Sequence, residues 1–507
     1  MLSKPDRRFP QEEPIFEDIS FSLEAISRQP AGMQKEIRNA VLLARKFKNE
    51  FLKPQTLEMD RRIQQNPSYL PWEWIEAAHK QGFFSLWIPK LFGGKGYCFP
   101  SLAYFLEELS SECLGMANLI GVHYLGLGTL IVTWNLAVIQ RVCEEVRQSE
   151  KTGKPCLISL AITEPSSGTD TTEADLVDRG RIGCHAKKTE GGYLLNGSKI
   201  FISNGPFSTW HIVLAFEDLK RPSESSIFLA VKAGTPGFSV GSKEKKMGQM
   251  ACPASEILFN DCFIPDDQVC LSPAQTQGFS KSHREIFQYL FDQLTSISRV
   301  GICAFGTGAA RGAYEATLKF VSETQLHGSY LINQEWVQSK LAEMYKNITI
   351  SRLLYAETNY GNGLYGVYKM LQFKPVYYAM KFCPEELLQW GGGILSKHPR
   401  STRLIRKMEM EHFKPEHIQR TAGIAALAKF AGADAGIENC RIAMEIMGQA
   451  GLRHANGIEK RLRDSKLLQI YEGTNQLNRF DLFRHLIGRS YSHVRMYEES
   501  ERRNQDA

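Results

Sequence analysis

Apolar positions change their period twice along the chain. Near the start, Val41, Leu42, Leu43, Phe47, Phe51 and Leu52 recur at the three-to-four spacing of one helix face. Pro71 then opens the segment Trp72-Glu73-Trp74-Ile75-Glu76-Ala77-Ala78, as proline does at a first helical turn. Gly93-Gly94-Lys95-Gly96 breaks the pattern, and helical spacing resumes from Ser101. Past residue 157 the runs become short: Ile212–Phe216, Ile227–Val231 and Ile257–Phe259, bounded by Gly, Pro, Ser and Asp, read as strands. Helical spacing returns over 285–325, 331–360 and 418–450. The order predicts an α+β fold with a helical domain over 1–156, a β-barrel-like domain over 157–275 and a helical bundle over 276–507. It excludes an alternating βαβ chain.

The 507 residues are 43% hydrophobic and 23% charged, ordinary for a soluble globular protein of several domains. A net charge of +6 favours an anionic ligand but falls far short of a nucleic-acid-binding composition. Residues 1–10 lead into no apolar run, so no signal peptide is read. Leu119–Val132, the most apolar segment, reads as too short for a membrane span and contains His123. The 11 cysteines are scattered without Cys-x-x-Cys, which predicts reduced thiols and a cytoplasmic setting. Cys113, Cys143, Cys303 and Cys440 fall in helical patterns and are expected in the core. His412 and His417 lack metal-like partners and are read as surface residues, so no metal site is expected.

Four motifs carry chemistry. Leu160-Ala161-Ile162-Thr163-Glu164-Pro165-Ser166-Ser167-Gly168-Thr169-Asp170 forms a Pro/Gly-shaped turn whose N–H groups and hydroxyls can cradle a ring edge or a phosphate. Leu195-Asn196-Gly197-Ser198-Lys199-Ile200-Phe201-Ile202-Ser203-Asn204-Gly205 carries two Asn-Gly hairpin signals, with Phe201 and Ser203 on one strand face. Lys246–Pro265 reads as a strand that closes the β domain. Tyr471-Glu472-Gly473-Thr474 follows Arg463-Asp464 and precedes Arg484-His485-Leu486. It sets a lone carboxylate between an aromatic ring and a glycine, so Glu472 is the candidate base. Gly306-Thr307-Gly308-Ala309-Ala310-Arg311-Gly312 has one residue too many for a dinucleotide fingerprint and no preceding strand. Close helix packing accounts for it better.

With these motifs, the helix–β–helix order resembles the acyl-CoA dehydrogenase flavoprotein family from about residue 35 to about 490. The resemblance implies bound FAD, an acyl-CoA substrate and α,β-dehydrogenation of the thioester, with electrons passed to an electron-transfer flavoprotein. Glu472 would abstract the α proton, and enclosure between Tyr471 and the flavin would desolvate the carboxylate. Leu160, Ile162, Thr163, Gly168, Thr169, Phe201, Ser203, Thr474 and Gln476 are implied to touch the flavin. Thr169, Arg299, Tyr471 and Gly473 are implied to line the substrate. Some relatives carry the base just before an arginine, where this chain has Ser298-Arg299. Serine cannot serve there, and Arg299 is read as bracing the wall. A homodimer or homotetramer is implied, and fatty acid metabolism is the expected setting.

The chain also departs from the family pattern. Met250 and Ala254 stand where arginine and threonine are common, on the CoA side. Thr324 and His327 replace the Arg and Phe of an Arg-x-x-Phe-Gly stretch whose arginine meets the flavin diphosphate of a neighbouring subunit, and Glu445 replaces a glutamine. An insertion over about 360–415 carries the basic run Lys397–Lys407. Either Arg400, Arg403, Arg406 or Lys407 supplies the missing phosphate contact, or the run is a solvated loop. Two other functions compete with dehydrogenation: an enoyl-CoA reductase working in reverse, and a non-catalytic scaffold or nucleic-acid-binding relative. The intact Glu472 motif argues against the last.

Overall fold

The computed structural model describes residues 21–25, 28–488, 491 and 494. Its principal early helices are α1 (Gly32–Phe47), α2 (Lys53–Gln65), α3 (Trp72–Lys80), α4 (Pro100–Ser110), α5 (Leu114–Val132) and α6 (Leu136–Thr152). Helix α5 is apolar on every side because neighbours enclose it on every side. Its 19 residues make it long and apolar enough to cross a membrane, which corrects the shorter span read from sequence. Of its most apolar window 89% is buried inside the protein, as in a core helix.

Eight strands follow: β1 (Ile158–Ala161), β2 (His185–Thr189), β3 (Gly192–Ser203), β4 (Trp210–Phe216), β5 (Ser226–Lys232), β6 (Phe238–Lys243), β7 (Ala254–Pro265) and β8 (Val269–Leu271). They run β6-β7-β3-β2-β4-β5-β8, with β1 added in parallel beside β4. Among the described residues the sheet does not close, so the barrel-like expectation is corrected to an open sheet. At one end β8 is only three residues long and offers little edge to pair. Asn196-Gly197 is not a hairpin turn either. It lies inside β3 at a register shift against β7, and the β2–β3 turn falls instead at Glu190-Gly191. Gly197 is needed there because a Cβ would stand 2.8 Å from Cys184 Cα.

The last third is helical: α7 (His283–Glu323), α8 (Glu335–Leu364), α9 (Lys374–Phe382), α10 (Glu385–Lys397), α11 (Pro399–Glu411), α12 (Pro415–Met447), α13 (Ile458–Lys466) and α14 (Asn475–Leu482). A capping box starts α7: Glu285 N–H donates to Ser282 Oγ, and Ser282 N–H to the Glu285 carboxylate at 2.8 Å. Helices α7 and α12 touch backbone to backbone. A Cβ on Gly306 would lie 2.0 Å from the Gly432 carbonyl oxygen, and one on Gly312 would lie 1.9 Å from that of Ser111. The 306–312 run is thus a packing device, as its spacing implied. The insertion is helical and folds back onto the first helices, where Tyr377 donates to Glu36 at 2.7 Å. All eleven cysteines are free thiols and nine are buried, including the four expected in the core.

Candidate functional site

A cavity of about 470 Å³ opens where α5, β1, β3, α7 and residues 470–474 meet. It gathers Leu160, Ile162, Thr163, Gly168, Thr169, Phe201, Ser203, Arg299, Tyr471, Glu472, Gly473 and Thr474 from four separate stretches of chain. Gln476 is the exception and lies exposed outside the cavity. Thr474 caps α14, its hydroxyl accepting from Leu477 N–H at 3.1 Å. Two residues on, Gln476 has turned about 200° around the helix and faces away.

Glu472 occupies left-handed backbone space at φ 56°, followed by Gly473 at φ 77°. That conformation costs a non-glycine residue on the order of 1 kcal/mol or more, and it turns the carboxylate into the cavity. Its carbonyl and the next two are held by Asn478, whose Nδ2 donates to the Gly473 and Thr474 oxygens at 2.9 Å and to that of Glu472 at 3.3 Å. Ser298 Oγ donates to Glu472 Oε2 at 2.7 Å, leaving Oε1 open to the cavity. The serine at the alternative base position therefore orients the carboxylate. Tyr471 is fixed by a 3.1 Å bond from its hydroxyl to Gln249 Oε1. Gln249 also takes Asn118 Nδ2 at 2.9 Å and donates to Asp464 O at 2.8 Å.

On the opposite wall the Thr163–Thr169 turn is built on buried charge. Lys199 Nζ donates to Glu164 Oε1 and to Ile162 O, both at 2.8 Å. Glu164 Oε2 accepts from the Gly183 and Cys184 N–H groups at 2.6 and 3.1 Å. Asp170 then ties the end of the turn, taking Ser167 Oγ and Gly168 N–H at 2.6 Å each. Phe201 sits at a bulge, at φ 57° and 59% exposed, with Ser203 beside it on the cavity wall.

Below the cavity, Arg299 Nη2 lies 2.5 Å from Asp481 Oδ2, both buried, so it braces α7 against α14. Arg484 pairs with Glu173 alongside, and burial pushes the carboxyls of Glu173 and Asp292 upward. Sequence reading missed Lys429. It is buried in α12 and donates to Gly473 O at 2.6 Å and to Asn475 Oδ1 at 2.8 Å. A lone lysine in the small-residue run Ala425–Gly436 was the available signal. Burial, and secondarily Arg299, depress Lys429 to about 7. Between pH 7 and the usual lysine range the unfolded chain then binds the extra proton, so this group's contribution to stability rises with pH. Denaturation midpoints measured from pH 6.5 to 9.5 are expected to show the unaltered protein gaining on Lys429→Met as pH rises. A constant difference would contradict the assignment.

None of Arg400, Arg403, Arg406 or Lys407 lines the cavity. Arg406 is buried and donates from Nε to Thr133 O at 2.8 Å, from Nη1 to Gln275 Oε1 at 3.1 Å and from Nη2 to Cys270 O. It staples the insertion to the first two domains. Thr324 ends α7 as its C-cap, His327 stands in a short β-hairpin at φ 50°, and Glu445 pairs with Lys340. These three residues, too, lie outside the cavity.

Three family models match the chain. The acyl-CoA dehydrogenase N-terminal domain matches residues 33–136, the middle domain 159–262 and the C-terminal domain 289–362 with 402–487. The chain is 26% identical over 464 residues to the probable medium-chain specific acyl-CoA dehydrogenase 2, mitochondrial, of Caenorhabditis briggsae, covering 90% of each. In fold it is similar to butyryl-CoA dehydrogenase from Megasphaera elsdenii, with a TM-score of 0.66 and 23% identity over 88% of this chain and 97% of that one. A chain from the solved structure of the electron transferring flavoprotein of Acidaminococcus fermentans gives the same TM-score and identity, over 89% of this chain and 97% of that one.

Proposed function

Because the chain belongs to the acyl-CoA dehydrogenase family, whose members are FAD-dependent oxidoreductases, we propose that it oxidises the α,β bond of an acyl-CoA thioester with Glu472 as the base. The observation that carries this reading is the Glu472 carboxylate, turned into the cavity by a left-handed backbone and held at one oxygen by Ser298.

The residues present fit a flavin ring. A Cβ on Gly168 or on Gly128 would meet nothing within 4 Å, so open space faces both glycines across the cavity. The hydroxyl-bearing residues Thr163, Thr169 and Ser203 and the ring of Phe201 stand on its walls, the donor and stacking set that a polar-edged aromatic ring needs. FAD, when bound, supplies the two-electron acceptor. Glu472 Oε1 takes the α proton while Ser298 fixes the carboxylate plane. The Glu472 N–H makes no hydrogen bond among the described residues and is the backbone donor for the thioester carbonyl, whose charge grows as the proton leaves. Tyr471 and the apolar walls keep water from the carboxylate. An electron-transfer flavoprotein is the proposed acceptor of the electrons.

Away from Glu472 the cavity is walled by Leu102, Leu106, Val122, Leu125, Phe291 and Leu294, none of them charged. These six side chains favour a neutral acyl group. Gly301 lies on this wall, and a Cβ there would meet only Leu106 Cδ1, at 4.0 Å. Gly301→Leu is expected to shift preference toward shorter acyl chains, lowering kcat/KM for the best long substrate by about tenfold or more. An unchanged chain-length profile would move the acyl site elsewhere.

The test of the function is the visible spectrum of the purified protein during anaerobic addition of a panel of acyl-CoA thioesters. Bleaching of an oxidised flavin band by one neutral acyl-CoA supports the reading. A protein that takes up no FAD would overturn it in favour of a non-catalytic role.

A further inference from the structure

Helix α10 is packed inside out. Toward the protein it turns Gly392 and Ser396, with Leu388 half-buried one turn before: a Cβ on Gly392 would stand 2.0 Å from the Leu91 carbonyl oxygen, and Ser396 is buried. The residues it turns to solvent are large and apolar. Trp390 is 68% exposed and Leu387 55%, with Ile394 beside them along the same face and exposed Leu395 on its flank. On the neighbouring elements Leu404 and Met408 of α11 and Phe382 at the end of α9 are exposed as well. Water is a poor neighbour for such a face, and contiguous apolar patches on soluble domains mark contact sites. The match to the C-terminal family model skips residues 363–401, so α10 lies outside the shared scaffold.

The charge around this face selects its occupant. Lys397, Arg400, Arg403 and Lys407 are all exposed at the α10–α11 corner. Among the described residues Lys397, Arg400 and Arg403 make no ion pair, and only Lys407 has a partner, Glu411 at 3.9 Å. Glu385 and Glu386 stand at the other end of α10, away from this corner. An apolar stripe with tryptophan at its centre and a cationic rim at one end matches the boundary between acyl chains and anionic headgroups. A second copy docked about a two-fold axis on the corner itself would bring basic rim against basic rim, whereas one docked about an axis through Trp390 would set each corner against the other copy's Glu385 and Glu386, and flotation separates that occupant from lipid.

We propose that this face of α10 and α11 docks the protein on an anionic membrane surface, Trp390, Leu387 and Ile394 entering the headgroup boundary and the four basic residues binding lipid phosphates.

The test is flotation of the flavin-loaded full chain with vesicles of phosphatidylcholine alone and of phosphatidylcholine mixed with phosphatidylglycerol. Binding is expected only to the mixed vesicles and is expected to weaken in high salt. Leu387→Glu with Trp390→Glu should abolish it, and Arg400→Gln or Arg403→Gln should each lower partitioning about fivefold. The replaced side chains point to solvent, so circular dichroism and flavin content should stay unchanged and verify the fold. Failure of the unaltered protein to float with the mixed vesicles overturns the proposal. So does flotation that survives Leu387→Glu/Trp390→Glu. An oligomer that this double change dissolves, in a protein that ignores vesicles, would assign the face to a second copy instead.

Discussion

Replacing Glu472 with glutamine is expected to lower turnover by between about 10² and 10⁴, the span that a positioned general base contributes. The substitution is nearly isosteric. Its amide oxygen can still accept from Ser298, whose Oγ lies 2.7 Å from Oε2, and Asn478 and Lys429 still hold the adjoining backbone. Flavin content and substrate affinity should therefore change little, while anaerobic bleaching by a saturating acyl-CoA slows by the full factor. The left-handed backbone at φ 56° sharpens the argument. It is the conformation that turns this carboxylate toward the cavity, where Ser298 meets it. Bleaching at the unaltered rate in Glu472→Gln would show that another group takes the proton, and Ser298 is not chemically able to do so.

Replacing Lys199 with methionine is expected to destabilise the protein by about 3–5 kcal/mol, the cost of leaving one member of a buried ion pair alone. Lys199 and Glu164 are 0% and 2% exposed in their side chains and 2.8 Å apart. Glu164 would keep its two backbone donors from Gly183 and Cys184 but lose its countercharge. The lysine also bonds Ile162 O, so the start of the Thr163–Thr169 turn loses one of its ties to β3 and keeps the Ile200 N–H bond to Thr163 O at 2.9 Å. Both a lower denaturation midpoint and weaker flavin retention should follow. Adding Glu164→Gln to Lys199→Met removes the stranded charge and should restore part of the stability. Equal midpoints for the single and double variants would mean that packing, not charge, makes this lysine matter.

Sequence alone determined a good deal here because some signals are local. Periodicity along 285–325 and 418–450 reported helices that the structure places at His283–Glu323 and Pro415–Met447, since which face of a helix is apolar is written in residue spacing. Glycines at 306, 308 and 312 announced close helix contact for the same reason. Every site residue read from Leu160 to Thr474 lines one cavity, whereas no residue of the Lys246–Pro265 motif does. Tertiary structure decided what depends on partners distant in the chain. Asn196-Gly197 has the composition of a turn, but pairing with β7 and contact with Cys184 hold it inside a strand. Helical phase carried Gln476 away from the cavity once Thr474 became the cap. Ser298 meets Glu472 across 174 positions, Lys429 meets Gly473 across 44, and Gln249 meets Tyr471 across 222. No local pattern encodes such pairs. They exist because the packing of α7, α12 and the sheet brings buried polar groups within bonding distance, and each buried group must find a partner there.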